Sequence, residues 1–297
     1  MPLKDVLAAL TVIVVWGANF VAIKLGVDEI PPMLLGALRF TFVAFPAILF
    51  VKRPAISWRK LLAYGATISL GQFAFLFLAI HLGMPAGLAS LVLQSQAFFT
   101  VLIAALVLRE RIERHHVLGM AIAVAGLVLL DAGAQDGAVP LAGFLLTLCA
   151  ALSWSAGNIV LKGAGKVDMM GLVVWGALLP PVPFLLLSAV FEGPARMAHS
   201  LANISLQGVL AVAYLAGVAT LVGYVLWGRL LARHPVARIA PLSLLIPVVG
   251  LLCADWFLGE RLDLWQWVGG VVVLAGLGVN LFGMKLLRRI PGCAQRP

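Results

Sequence analysis

The feature of this sequence that most constrains its fold is a succession of ten apolar runs separated by short, charged breaks. A membrane-spanning helix needs about 20 predominantly apolar residues, because a hydrocarbon core of about 30 Å is crossed at about 1.5 Å per residue. Nine runs come close to that length or reach it, and the fifth, 117–130, is the shortest. The predicted spans are 6–25, 33–51, 61–82, 86–108, 117–130, 141–161, 171–191, 208–230, 237–258 and 265–287.

These runs predict an all-α integral membrane protein with ten transmembrane helices. Lipid offers no partner to open backbone groups, so each run is expected to be helical, and the lack of strict alternation argues against a β-barrel. The chain is 63% apolar and 11% charged, against about 45–50% and about 25% in soluble domains. A soluble enzyme and a disordered chain are thereby excluded. Cys149, Cys253 and Cys293 show no pairing pattern typical of a disulfide scaffold.

The sign of the charge in the breaks predicts the orientation. With the N-terminus inside, 17 of the 21 Lys and Arg residues fall on the inner side, and the exceptions are Lys24, Arg39, Arg196 and Arg261. Cytoplasmic loops of membrane proteins carry an excess of Lys and Arg. Both termini are therefore predicted to be cytoplasmic. The net charge of +9 is explained by this topology and calls for no nucleic-acid partner.

The chain also matches itself at two offsets. At the longer offset, Pro85 aligns with Pro235 and the pair Glu110-Arg111 aligns with Glu260-Arg261. At the shorter offset, segment 16–24 aligns with segment 154–162. The difference between the offsets predicts an insertion of about twelve residues in the second half, most simply in the outer loop around 192–206.

This repeat divides the chain into residues 1–133, residues 138–287 and a basic cytoplasmic tail, 288–297. Each half holds five predicted helices, and because five is odd, the second half must enter the membrane from the opposite side. Such a 5+5 inverted repeat allows one fold to adopt two packings, open inward and open outward, around a site near the midplane. The repeat therefore favours a transporter that works by alternating access.

Several short motifs resemble the drug/metabolite transporter superfamily, EamA-type. They are 16–19 (WGAN), Pro32 with 38–40 (LRF), 85–90 (PAGLAS), 109–111 (RER) and 259–261 (GER). The resemblance covers about residues 4–287, and the stretch 64–111 is most similar to bacterial exporters of amino acids and related metabolites. It implies that each half is an EamA-type repeat and that the substrate is a small metabolite, with amino acids of aromatic or cysteine-related type the first choice.

Helical spacing and the repeat select polar and aromatic residues at membrane depth as candidates for the lining of a transport pathway. The candidate substrate-binding residues are Trp16, Asn19, Arg39, Gln72, His81, Ser90, Gln94, Phe98, Trp154, Asn158, Tyr224, Trp227, Ser243 and Pro247.

Alternative interpretations stay open for these candidates. The amides are equally suited to hydrogen bonds that only hold helices together. Prolines interrupt the ninth span (Pro241 and Pro247) and the seventh (Pro180, Pro181 and Pro183), and they either mark a binding site or produce a kink. Arg39 either holds a substrate carboxylate or extends outward to Asp28 or Glu29. Among the aromatic residues, only a minority is expected to face the pathway. His81 either belongs to the pathway or is an ordinary residue at the membrane boundary.

Small residues recur in the fifth and tenth spans, where Gly119 and Gly126 correspond to Gly269 and Gly276. Such residues allow close approach of helices, either within one chain or in a homodimer through helices 5 and 10. No cofactor and no metal are expected, because the pair His115-His116 lacks a third ligand nearby. The expected partners are the lipid bilayer and a small-molecule substrate.

The sequence thus predicts an inner-membrane exporter of small metabolites that is not an enzyme. A membrane enzyme acting on lipid would need His, Asp or Glu clustered at a membrane face, and a structural assembly subunit would not need an inverted duplication. A multidrug or lipid transporter of the same fold is the remaining alternative. Asp131 and Asp255 lie near span ends, so we expect no obligatory proton exchange.

The predicted topology has a direct test in thiol labelling. Cys293, or a cysteine placed at Arg59, should react only with reagent on the cytoplasmic side, and a cysteine at Asp136 only with reagent outside. The reason is the uneven distribution of Lys and Arg across the membrane. Labelling after detergent permeabilisation provides the control for reactivity. Labelling of the Asp136 position from the cytoplasmic side alone would contradict both the topology and the inverted repeat.

Overall fold

The computed structural model describes residues 1–132, 140–164, 167–234, 239–261 and 263–287. Within these ranges every regular element is a helix. Asp136 and Cys293 of the labelling experiment, the repeat position Pro235 and the tail 288–297 lie outside the described residues.

Ten apolar helical segments occur in the described part of the chain. Eight are long and apolar enough to cross a membrane, and α5 and α9 are shorter apolar helices. The segments are α1 (Leu3–Glu29), α2 (Pro32–Leu49), α3 (Trp58–His81), α4 (Ala86–Leu108), α5 (Arg114–Ala132), α6 (Leu141–Lys162), α7 (Met169–Glu192), α8 (Leu206–Leu230), α9 (Leu242–Leu258) and α10 (Leu264–Leu287).

The fifth segment is longer than predicted, and the seventh is interrupted at its prolines as the sequence indicates. The fifth, predicted over 117–130, extends over Arg114–Ala132 because it takes in residues on both flanks. The seventh is interrupted between the helices Met169–Gly176 and Pro181–Leu187, since proline lacks the N–H that would continue the helix. The loop predicted to hold the insertion contains a short exposed helix, Pro194–Ala202.

The segments pack in a regular order. Helix α1 lies against α8 and α9, and α6 lies against α3 and α4; α2 packs on α7, and α5 on α10. Contact between α1 and α9 is close: a Cβ at Gly17 would lie 2.6 Å from Val249 Cγ1. The interior between the segments contains fully buried residues such as Phe77 and Phe184. Helices α5 and α10 pack chiefly on each other.

The small residues of α5 and α10 pack against each other within the chain. A Cβ at Gly119 would lie 2.6 Å from the Gly276 carbonyl oxygen, and a Cβ at Gly126 would lie 2.8 Å from the Gly269 carbonyl oxygen. These glycines therefore permit direct backbone contact between two helices. Because their faces are covered within the chain, a homodimer through helices 5 and 10 would have to use the outward faces of these helices.

Charged residues mark the two ends of the bundle differently. We call the end with Lys60, Glu110 and Lys162 the basic end, and the end with Glu192 and Glu260 the acidic end. At the basic end Asp5 is buried, although α1 begins only two residues earlier. Its carboxylate lies 2.8 Å from His234 Nε2 and 3.1 Å from Arg233 Nη1. The sequence gives no local signal for this buried acid, because its partners lie 228 and 229 residues further along the chain.

Carboxylates from distant segments cap two helices at the acidic end. Helices α2 and α4 begin after Pro31 and Pro85, whose side chains offer no capping group. Glu192 Oε1 accepts a hydrogen bond from the Met33 N–H at 2.7 Å. The Glu260 carboxylate accepts bonds from the N–H groups of Ala86 and Gly87, each at 2.9 Å. A negative charge is favourable at these positive helix ends.

Candidate functional site

A cavity of about 390 Å³ lies in the middle of the bundle. Its lining comes from α1 to α4 and from α6 to α9, so both halves of the chain contribute. The lining residues are Trp16, Asn19, Phe20, Arg39, Tyr64, Ile68, Gln72, Phe73, Leu76, Ser90, Leu93, Gln94, Gln96, Trp154, Asn158, Leu161, Met169, Ala219, Tyr224, Trp227, Ser243 and Ile246.

Arg39 supplies the charge of this lining. Its residue is 3% exposed, and Nη2 donates a hydrogen bond to Thr220 Oγ1 at 3.0 Å. The guanidinium carbon lies 3.9 Å from the centre of the Phe73 ring, in cation–π geometry. Among the described residues no acid lies within salt-bridge distance of Arg39, and Asp28 instead pairs with Lys24 at 2.7 Å. The interpretation in which Arg39 extends outward to Asp28 or Glu29 is therefore wrong.

Aromatic side chains form one wall. The Trp16 ring centre lies 5.2 Å from that of Tyr224 and 5.4 Å from that of Trp227. Trp16 Nε1 donates to the Ala219 carbonyl oxygen at 2.9 Å, which satisfies the polar atom of the indole. Trp154 also belongs to the lining. The cavity thus combines an apolar stacking surface with a buried positive charge.

The amides divide into two groups. Gln94 Nε2 donates to the Ser243 carbonyl oxygen at 3.2 Å, and Asn158 Nδ2 donates to Gln96 Oε1 at 3.0 Å. These bonds join α4 to α9 and α6 to α4, as expected for amides that hold helices together. Asn19 and Gln72 differ, since their side-chain oxygens are buried and accept no hydrogen bond from the described residues.

Irregular helical turns surround the cavity. Helices α3 and α8 contain π-helical segments, Gly65–Gly71 and Tyr214–Val222, and α4 contains a 3-10 turn, Leu93–Ser95. A further 3-10 turn, Ala240–Leu244, overlaps the start of α9. Such departures from α-helix geometry occur often at functional sites. Of these four irregular segments, only the turn at α9 contains a proline from which it could be predicted. The segments in α3, α4 and α8 contain no proline.

Eleven of the fourteen candidate residues meet in this cavity, and three do not. His81 is exposed at the end of α3, and Phe98 is buried in the hydrophobic core. Pro247 is buried outside the lining, with its carbonyl oxygen 3.5 Å from Ser90 Oγ. Tyr64 and Gln96 are polar lining residues that were not among the predicted candidates. Tyr64 had a usable signal, since the longer repeat offset aligns it with Tyr214.

No group of three or more His, Cys, Asp or Glu side chains with metal-binding geometry occurs in the described ranges. His115 and His116 stack with ring centres 4.0 Å apart, and His115 Nδ1 lies 3.3 Å from Glu113 Oε2. This cluster lies at the basic end and is separate from the cavity.

Comparison with known proteins places these features in a family. The model of the EamA-like transporter family matches residues 3–130 and 141–282. A protein of Salmonella typhimurium named "Probable amino-acid metabolite efflux pump" is 51% identical, with 97% of this chain and 98% of that protein covered. A protein of Escherichia coli K12 with the same name is 50% identical, with 96% and 97% covered. A crystal structure at 21% identity, covering 97% of this chain and 98% of that chain, has a TM-score of 0.66.

Proposed function

Since this chain belongs to the EamA-like transporter family, we propose that it exports amino acids and related metabolites across the bacterial inner membrane by alternating access. The observation that carries the proposal is the central cavity, which joins residues of eight helices from both halves around one buried guanidinium. Its volume of about 390 Å³ lies at the small end of the range for ligand pockets. It suits a single small metabolite.

The substrate class has two supports. The two relatives at about half identity carry the name of amino-acid metabolite efflux pumps. The lining offers a positive charge, several amides and an aromatic wall, which match a carboxylate, polar groups and an apolar or aromatic side chain. A carrier of cationic drugs would have less use for a single buried guanidinium, which pairs best with anionic groups. Aromatic and cysteine-related amino acids remain the first choice.

The 5+5 inverted repeat, with halves 1–133 and 138–287, is part of this proposal. The family model matches the chain twice, once in each half. Local irregularities recur at the longer repeat offset: α4 ends on Arg109 and α9 on Gly259, both with left-handed backbone. The packing of α1 on α8 and α9 corresponds to that of α6 on α3 and α4.

Alternation between two states is suggested by paired glutamates and lysines of the repeat. Glu110 corresponds to Glu260, and Lys162 corresponds to Lys24. At the acidic end Glu260 caps α4, while Lys24 pairs with Asp28. At the basic end, which we propose to be cytoplasmic, Glu110 lies 2.6 Å from Lys162. We propose that the two ends exchange these arrangements between the two states of the transporter. When the acidic end opens, Glu260 leaves the start of α4 and binds Lys24.

The proposed function is tested by counterflow with the purified protein in liposomes. Vesicles loaded with each of the twenty amino acids in turn should accumulate the same labelled amino acid, and at least one should give a rate tenfold or more above empty vesicles. Ethidium and a fluorescent phospholipid serve as probes for the alternative carriers of the same fold. Absence of counterflow for all twenty amino acids would contradict the proposal, and transport of either probe would then support the alternative carrier.

A further inference from the structure

We infer that the cavity recognises both charged groups of a zwitterionic amino acid, with Arg39 binding the α-carboxylate and the side-chain oxygens of Asn19 and Gln72 binding the α-ammonium. This inference rests on the proposed function and defines its substrate class more narrowly. It predicts that a free amine and a free carboxylate are both required, so that amides, amines and simple carboxylic acids are poor substrates.

The carboxylate position follows from the unused donors of Arg39. Only Nη2 has a partner among the described residues, the Thr220 hydroxyl, and Nε and Nη1 donate to none of them. A buried guanidinium with unused N–H groups is unfavourable, and a carboxylate is the acceptor that it pairs with best. The Phe73 ring at 3.9 Å covers one face of the group. Arg39 is also a lining residue of the cavity, so we assign its unused N–H groups to a ligand there.

The ammonium position follows from two unused acceptors in the same lining. Asn19 is 8% exposed and Gln72 is 3% exposed, and neither side-chain oxygen accepts a hydrogen bond from the described residues. A buried carbonyl oxygen without a donor is costly, and an ammonium group carries three donors and no acceptor. Gln94 and Asn158 differ, because their oxygens are not among the buried, unpartnered atoms of the described residues, and their amide nitrogens already donate to neighbouring helices.

The two sets of unused groups have opposite hydrogen-bonding character. An anion without an amine would satisfy Arg39 and leave both amide oxygens unpaired, while an amine without a carboxylate would do the reverse. Only a ligand with both groups supplies donors and acceptors together. Its side chain is then free to contact the wall of Trp16, Tyr224 and Trp227.

The first test uses matched ligands and the unmodified protein. Binding is measured by thermal shift and by inhibition of counterflow. The parents are L-phenylalanine and L-cysteine; the corresponding amides lack the carboxylate, and 3-phenylpropionate and 3-mercaptopropionate lack the amine. We expect at least one parent to bind and both of its truncated analogues to bind tenfold or more weakly, since hydrogen bonds to charged groups are the strong ones. Failure of both parents, or an analogue within threefold of its parent, overturns the inference.

The second test assigns each group by a change in selectivity. Arg39→Gln should remove the preference for the parent over its amide, while Arg39→Lys should retain part of it. Asn19→Leu and Gln72→Leu should instead remove the preference for the parent over the deaminated analogue. Asn280→Leu is the matched control, because Asn280 also has a buried, unpartnered amide oxygen among the described residues but lies outside the cavity lining. Equal loss of both preferences in every cavity variant would contradict the assignment.

The two proposals fail in different ways. If none of the twenty amino acids gives counterflow, the proposed function is wrong and the inference falls with it. If amino acids are transported but the amides or deaminated acids compete equally well, the proposed function stands and the two-group recognition is wrong.

Discussion

Replacing Gly276 with valine is expected to remove nearly all folded protein from the membrane. A Cβ at this position would lie 2.6 Å from the Gly119 carbonyl oxygen and 2.7 Å from the Ala123 nitrogen. Both obstacles are backbone atoms of α5, so no side-chain rotation relieves them. Overpacking costs about 1–3 kcal/mol where side chains can rearrange. Here α5 and α10 would have to separate, and we expect at least about 3 kcal/mol, the upper end of that range.

The matched control is Gly278→Val on the same helix. A Cβ at Gly278 meets nothing within 4 Å among the described residues, so valine should be accepted there with nearly normal abundance. The measurement is the monodisperse fraction in size-exclusion chromatography of detergent extracts, together with the thermal midpoint. Equal abundance and equal midpoints for the two variants would show that α5 and α10 do not approach as closely as the structure indicates.

Replacing Glu260 with glutamine is expected to open the acidic end of the transporter. Glutamine keeps the size of the side chain but loses the negative charge, and its NH₂ group cannot accept from an N–H group of Ala86 or Gly87. One charge-assisted hydrogen bond is worth about 1.5–3 kcal/mol. If that bond closes the acidic end, the population open at this end should rise by about tenfold or more.

Cysteine accessibility measures this change. A cysteine at Ser90, which lines the cavity, is placed in a chain whose three natural cysteines are alanine and is labelled in intact cells with a membrane-impermeant reagent. We expect Glu260→Gln to increase the labelling rate tenfold or more. The control is Asp263→Asn, because Asp263 accepts from the Gln266 N–H at 2.7 Å and so caps the start of its own helix. Equal labelling rates in the two variants would contradict a closing role for Glu260.

The prediction for Arg39 shows where sequence reasoning stops. Its position within an apolar run made it unusual, but its depth from the span end was compatible both with outward extension and with a ligand role. The choice depended on groups far along the chain, since its partner Thr220 belongs to α8 in the second half. The same holds for Glu260, whose partners Ala86 and Gly87 belong to the first half.

The candidate list shows a similar division. Helical periodicity placed Ser90 and Gln94 on one face, and both line the cavity. His81 and Phe98 satisfied equally reasonable criteria and lie elsewhere, because periodicity defines the face of a helix but not what that face meets. The π-helical and 3-10 turns in α3, α4 and α8 change which face the following helical residues present. These turns contain no proline from which they could be predicted.

The sequence by itself determined that this protein is a helical membrane protein and where its apolar segments lie. Those properties depend on the exclusion of unpaired backbone from lipid and on the length needed to cross it, and both are local in sequence. The tertiary structure alone decided which residues of eight helices share a cavity, that Arg39 is buried there without a carboxylate among the described residues, and that the glycines of α5 and α10 face each other. These outcomes depend on close packing between segments far apart in the chain, which one-dimensional periodicity does not encode.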